Sequence, residues 1–326
     1  MNRLWLWASI LTLSFGVSFA QRSASRLHSA AQDGDKAALQ QLLKLAEEGD
    51  GSAEMLLAHA YEPDGPLGAV FSSVWEIKGI QKNLAKALDL YHRAAEHGNA
   101  SAQSTLGLMY AQGSNFPKDL ARAFELYRAA AEQGDVSGQL NLAEMYAKGE
   151  GVPKDAALAA IWYHKVAVHS NDLARPQAQL KLAQMYAKGE GVSRDAVQSF
   201  LWYRKAAFSD GVGSSAWVIL GNLYAKGEGV QKSAGEAAFW YHKAAEESLV
   251  PNAEAQRALG SMYAEGEGLP KDTLLAYMWW NLAAASGNES AKKKRDDLET
   301  RLTPEQIAEA QKLSRDWKPK GFNLKK

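Results

Sequence analysis

The groups with spacing that could do chemistry are seven histidines, one Ser-x-x-Lys string and a set of Gly-x-Gly turns. His92 and His97 stand five apart, as do His164 and His169. A helical metal pair uses i, i+4, which keeps both rings on one face, so a spacing of five predicts surface histidines and no metal site. Ser290-Ala291-Lys292-Lys293 has the order in which a lysine activates a serine toward β-lactams, but neither Ser-Asp-Asn nor Lys-Thr-Gly accompanies it. The match is read as chance. The Gly-x-Gly turns follow no strand and lack a Walker lysine, so helix termination is expected of them rather than phosphate cradling. Asn99-Ala100-Ser101 and Asn288-Glu289-Ser290 have the form of glycosylation acceptors, which has meaning only in a host that glycosylates exported chains. Nothing here assigns a catalytic residue, a cofactor or a metal, and the chain is expected not to be an enzyme.

The elements that would carry these groups recur. Met145-Tyr146-Ala147-Lys148-Gly149-Glu150-Gly151-Val152 returns as Met185 to Val192, Leu223 to Val230 and, with Glu265 in place of lysine, Met262 to Leu269. A tyrosine at 61, 110, 146, 186, 224 and 263 is followed by an aromatic at 91, 127, 163, 203, 241 and 280. The two are 17 residues apart in the last five units and 30 apart in the first, which therefore holds a 13-residue insertion within 62–82. Repeats of this length fit two helices each.

Leucine stands four before the first-helix tyrosine (Leu57, Leu106, Leu142, Leu182, Leu220, Leu259) and Ala or Gly three before it. A large side chain beside almost none predicts close ridge-into-groove packing along one buried stripe. In the second helix Ala94, Ala130, Ala167, Ala207, Ala245 and Ala284 repeat the device. Trp162, Trp202, Trp240 and Trp279 could stack sugars or bases, but their constant place beside a core aromatic assigns them to helix packing. Gly149, Gly189, Gly227 and Gly266 are placed to end the first helix in a left-handed turn. Asn83, Asp119, Asp155, Asp195, Ser233 and Asp272 are placed to cap the second. The columns Lys148, Lys188, Lys226 and Glu150, Glu190, Glu228 suit a solvated edge.

The combination A-x3-L-G-x2-Y-x2-G-x-G-V-x2-D-x3-A-x2-W-Y-x-K-A-A resembles the Sel-one-like repeat, a relative of the tetratricopeptide repeat, and Ala178 to Ala207 is its fullest copy. The resemblance covers six units over residues 51–290. It implies an all-α fold, a right-handed α-solenoid of antiparallel helix pairs, and a role as a protein-protein adaptor. A cysteine-rich exported branch of that family has been linked to penicillin binding; this chain has no cysteine, so that activity is not carried over.

Outside the repeats, Arg3 precedes an apolar run through Val17, and Ser18-Phe19-Ala20 supplies small residues for cleavage, so 1–20 is expected to be a secretory signal peptide. Residues 24–50 are expected to form an N-terminal helical cap, 291–318 C-terminal capping helices with a capping box at Thr303-Pro304-Glu305-Gln306, and 319–326 a flexible tail. Lys plus Arg and Asp plus Glu both total 37, which argues against nucleic acid held by bulk charge.

The function expected is an exported, periplasmic or secreted, non-enzymatic adaptor holding a protein or extended peptide in the concave groove of the solenoid. The groove positions that vary between units are Thr105, Asn141, Lys181 and Ile219, five before the tyrosine, and Leu108, Glu144, Gln184, Asn222 and Ser261, two before it; partner recognition gives such variation, and so does drift at unselected surface positions. Leu67, Val70, Phe71, Val74 and Trp75 in the insertion form an apolar stripe that either docks a partner or covers the joint between the first two units; on the first reading Phe71 and Trp75 join the list. The alternatives are a cell-wall, penicillin-binding or hydrolytic activity as in the cysteine-rich relatives, or a quality-control adaptor of the endoplasmic reticulum if the source is eukaryotic.

Overall fold

The computed structural model describes residues 23–63, 76–170, 174–209, 213–248 and 252–320. The expected signal segment and the Leu67 to Trp75 stripe lie outside them. Among the described residues every regular element is an α-helix, and no helix is long and apolar enough to cross a membrane. They fall into two compact units, one ending at Asp155 and the other starting at Ala156.

The first unit holds α1 (23–33), α2 (Lys36–Glu47), α3 (Gly51–Tyr61), α4 (Leu84–Glu96), α5 (Ala100–Gln112), α6 (Leu120–Glu132) and α7 (Val136–Lys148), and from α2 onward each packs on the next. The second holds α8 (Ala156–His169), α9 (Ala174–Lys188), α10 (Ala196–Ala207), α11 (Gly213–Lys226), α12 (Ala234–Glu246), α13 (Ala253–Glu265), α14 (Thr273–Ala285), α15 (Glu289–Glu299) and α16 (Pro304–Asp316). Here too each helix packs on its successor as far as α15, and α16 returns onto α14.

Local chemistry sets the helix ends. Asn83, Asp119, Asp195, Ser233 and Asp272 each accept from the amide three residues on, as in Asp272 Oδ1 with Leu275 N at 2.9 Å. First helices are capped in the same way by Asp50, Asn99, Asp135 and Asn252. Asn99 and Asn288, singled out above as possible glycosylation acceptors, are N-caps whose Oδ1 atoms are engaged at 2.9 Å by Ala102 N and Ala291 N. Each such cap contributes about 1 kcal/mol. The capping box at Thr303 and Gln306 is formed as expected.

The turn needs both of its glycines. Gly227 ends α11 at φ +77°, the left-handed conformation anticipated. Gly229, two residues on, is also left-handed, and a Cβ on it would lie 1.9 Å from the Ala196 carbonyl oxygen at the start of α10. The second glycine is thus the place where one repeat touches the backbone of the repeat before it.

Packing follows the leucine column: Leu57, Leu106, Leu142, Leu182, Leu220 and Leu259 are all at most 1% exposed. Each contributes about 2 kcal/mol by burial. The second-helix aromatics Tyr91, Tyr127, Tyr163, Tyr203, Tyr241 and Trp280 are also buried. Space for them comes from the small residue of the first helix; a Cβ on Gly260 would sit 2.4 Å from the Trp280 ring.

The repeating columns differ in depth. The first-helix tyrosines are rim residues: Tyr110 is buried, but Tyr61, Tyr146, Tyr186, Tyr224 and Tyr263 are half-buried, while Met109, Met145, Met185 and Met262 go inside. The methionine three past the leucine and the tyrosine four past it flank one helix stripe, and the methionine's flank is the sealed one. In the second helix Ala94, Ala130, Ala167, Ala207 and Ala245 are buried as expected and Ala284 alone is half-buried, while the position three after the aromatic, at Ala94, Ala130, Val166, Ala206, Ala244 and Ala283, is fully buried throughout.

Candidate functional site

The variable first-helix positions lie beside the core leucines and are therefore fixed in place by them. Lys181 and Gln184 on α9 are exposed, although Leu182, Ala183 and Met185 around them are buried. Thr105, Leu108, Asn141, Glu144, Ile219, Asn222 and Ser261 are half-buried, because neighbouring helices of the array cover part of each. Some are engaged by their own scaffold. Asn222 Oδ1 accepts from Tyr241 at 2.7 Å, Glu144 from Lys148 at 3.1 Å, and Ser261 Oγ from Lys294 at 3.0 Å. Burial, with the negative Glu144 carboxylate nearby, pushes the Tyr127 hydroxyl above its ordinary range and keeps it a hydrogen-bond donor. In the first unit α5 and α7 touch directly, which brings the Thr105 and Leu108 helix against the Asn141 and Glu144 helix. Phe71 and Trp75 lie outside the described residues.

Two polar clusters were not anticipated from spacing. Glu54 on α3 is fully buried; Arg93 Nη2 and His97 Nδ1 on and after α4 each lie 2.7 Å from one of its oxygens. His97 is exposed, as expected of it, and its ring also reaches that buried carboxylate. Arg93 also donates to the Ala46 carbonyl at 2.5 Å, tying α2 to the pair. Nearby, the Tyr91 hydroxyl donates to Glu62 Oε2 at 2.7 Å and lies 2.8 Å from His59 Nδ1. Burial, then the charge of His28, brings His59 down to about 4. Burial also pushes Glu62 up, against the hydrogen bond from Tyr91 and the charge of Lys82. The signal that could have found these clusters is the charged or polar residue inside an apolar stripe, at 54 and 59.

A cleft of about 710 Å³ opens in the first unit where α3, α5 and α7 begin, lined by the caps Asp50, Asn99 and Asp135 with His97 and Gln133. In the second unit a smaller one of about 170 Å³ lies among Tyr241, Arg257, Ser261 and Glu267. Among the described residues no group of three or more His, Asp or Glu is placed to hold a metal ion. Ser290 and Lys293 are exposed on α15. Trp202, Trp240 and Trp279 are buried in helix packing, as expected; Trp162 is half-buried beneath Lys165.

The tail expected to be flexible from 319 is held at its start. Trp317 packs edge-on against Trp279 of α14 with ring centroids 5.7 Å apart, and Lys320 N donates to the Glu246 carbonyl of α12 at 2.8 Å. Lys320 Nζ also pairs with the Glu246 carboxylate.

Helix pairs joined by left-handed glycine turns and sealed by a leucine column define an all-α repeat solenoid. The Sel1 repeat model matches residues 77–99, 100–135, 136–167, 176–207, 218–249 and 253–288, more than half of the chain, and the protein belongs to that family. A Sel1 repeat protein from Oxalobacter formigenes is 29% identical, with a TM-score of 0.56 over 72% of this chain and 99% of its own. A protective antigen present in uropathogenic Escherichia coli, displaying an SLR fold, is 25% identical, with a TM-score of 0.40 over 95% of this chain and 78% of its own. No curated protein matches. Sel1 repeats commonly mediate protein-protein interaction.

Proposed function

We propose that this chain is an exported, non-enzymatic scaffold that holds a protein or extended peptide against the exposed faces of its first helices. The observation that carries this reading is the residue-by-residue division on α9. Leu182, Ala183 and Met185 are buried, while Lys181 and Gln184 between and beside them face solvent. Such a division lets recognition residues change without cost to the core, which is how repeat arrays acquire specific partners. Export is supported by Arg3, the apolar run after it and the Ser18-Phe19-Ala20 cleavage pattern.

Crosslinking the chain in its native envelope should capture a defined protein. Lys181→Glu combined with Gln184→Ala should lower that capture about tenfold, the effect of removing one or two contacts of about 1 kcal/mol each, with an unchanged melting curve. Equal capture by the variant, or turnover of a cell-wall substrate by the purified chain, would overturn the proposal. Export predicts a mature chain whose sequencing starts at Gln21.

A further inference from the structure

After α16 the chain leaves the helix in an extended conformation at Trp317 and crosses the second helices of the last repeats. Trp317 lies on Trp279 of α14, and three residues later Lys320 lies on Glu246 at the end of α12. Three extended residues span about 10 Å, close to the distance between packed helices. The strap is held as a bound peptide would be: an aromatic on an aromatic, a main-chain hydrogen bond, and a lysine on a carboxylate. Glu246 is prepared for that lysine. His242 Nδ1 sits 2.9 Å from its other oxygen, and the His242 ring is braced by Trp279 and Tyr263. Burial pushes the Glu246 carboxyl up, but Lys320 and His242 outweigh it and hold the group below the usual carboxylate range.

The surface continues one repeat further than the strap's contacts. Glu246 stands five after Tyr241; five after Tyr203 stands Phe208, the C-cap of α10, which is 74% exposed. Its ring and that of Phe239, 57% exposed, both lie edge-on to Trp240. Trp240 itself is buried, and its Nε1 has no hydrogen-bond partner. A segment following the strap's direction from α14 to α12 would next meet this apolar patch.

We propose that the strap is the internal occupant of a peptide-docking groove on the second-helix face, and that the groove's external ligand is an extended segment of a partner protein. That segment presents an aromatic residue, a lysine or arginine three positions on, and an apolar residue beyond it. This site is separate from the first-helix face of the proposed function and stands or falls independently of it. Relative to strap residues 317–320, the ligand gains by also covering Phe208 and Phe239.

The test uses a fluorescent peptide with the sequence of residues 314–320, Ser-Arg-Asp-Trp-Lys-Pro-Lys, and a second peptide continued through Leu324. A chain stopped after Asp316 should bind the short peptide about tenfold more tightly than the full chain, whose groove is filled. The longer peptide should gain about tenfold more, the effect of burying one Phe, and Phe208→Ser should remove that gain. Glu246→Lys should abolish binding, and a peptide with glutamate in place of its last lysine should restore it. If the shortened chain does not fold, the full-length Trp317→Gly, Lys320→Gly variant should show the same gain. Absence of peptide binding by a folded, strap-released chain would overturn the proposal, as would equal binding by released and full chains. A full-length dimer that becomes monomeric on truncation would also overturn it, by assigning the groove to a second copy.

Discussion

The backbone amide of Asn83 donates to the carbonyl of Tyr61 at 2.6 Å. The equivalent bond closes the other repeats, from Asp119 to Tyr110, Asp155 to Tyr146, Asp195 to Tyr186, Ser233 to Tyr224 and Asp272 to Tyr263, at 2.9 to 3.0 Å. In those repeats the cap comes nine residues after the tyrosine; in the first it comes 22 after, and the bond is still made. The insertion therefore leaves the closing geometry of the repeat unchanged.

Deleting residues 64–76 restores the nine-residue spacing. Shortening a closed loop by little more than one halving changes its closure entropy by under about 1 kcal/mol. The variant should keep its helical circular dichroism and melt within a few degrees of the parent. Loss of cooperative melting would show that the inserted residues are needed to hold α3 and α4 together.

Gly229→Ala should destabilise the second unit by about 2–4 kcal/mol, the sum of left-handed strain and a clash with the Ala196 carbonyl. Gly287→Ala, also left-handed but with nothing within 4 Å of the new Cβ, should cost about 1–2 kcal/mol. Urea denaturation of the two variants separates strain from contact; equal losses would remove the contact from the explanation.

Arg93→Ala leaves the fully buried Glu54 carboxylate with the His97 ring beside it and without its guanidinium. A broken buried pair costs several kcal/mol, and because Arg93 is itself partly exposed, about 2–3 kcal/mol is expected. Adding Glu54→Leu should recover most of that, since the stranded carboxylate is then gone. Chemical denaturation of the single and double variants checks it; a double variant no more stable than Arg93→Ala would disprove the role given to Glu54.

Acid should loosen the N-terminal helices through His59. Its folded value of about 4 lies below the 6.5 of an unfolded histidine, so the unfolded chain takes up the proton first. The associated stability is intact above pH 6.5 and is lost as pH falls toward 4, by about 2–3 kcal/mol. His28, lowered by burial, acts in the same direction. Glu62 offsets part of the loss, because its raised folded value favours the protonated folded state as pH falls. Melting temperatures across this range should drop less for His59→Gln than for the parent, and parallel curves would exclude His59 as the source.

The sequence by itself determined the helix pairs, their caps, the left-handed turns and the leucine column, together with the family resemblance those columns carry. These are local and periodic: an Asp three residues before the amide it caps, or a Leu and a Met on one helical stripe, meets its partner whatever the rest of the chain does. Tertiary structure alone decided that Gly229 must abut Ala196, that Glu54 meets His97 across 43 residues, and that Lys320 returns to Glu246. Such pairs join different helices, so their meeting depends on how helices stack rather than on spacing along one of them. The candidate first-helix positions were legible as variable columns, but how much of each side chain stays open was not. Burial of Asn222 or Glu144 depends on the neighbouring helices that cover them, and no stretch of sequence around either residue encodes that cover.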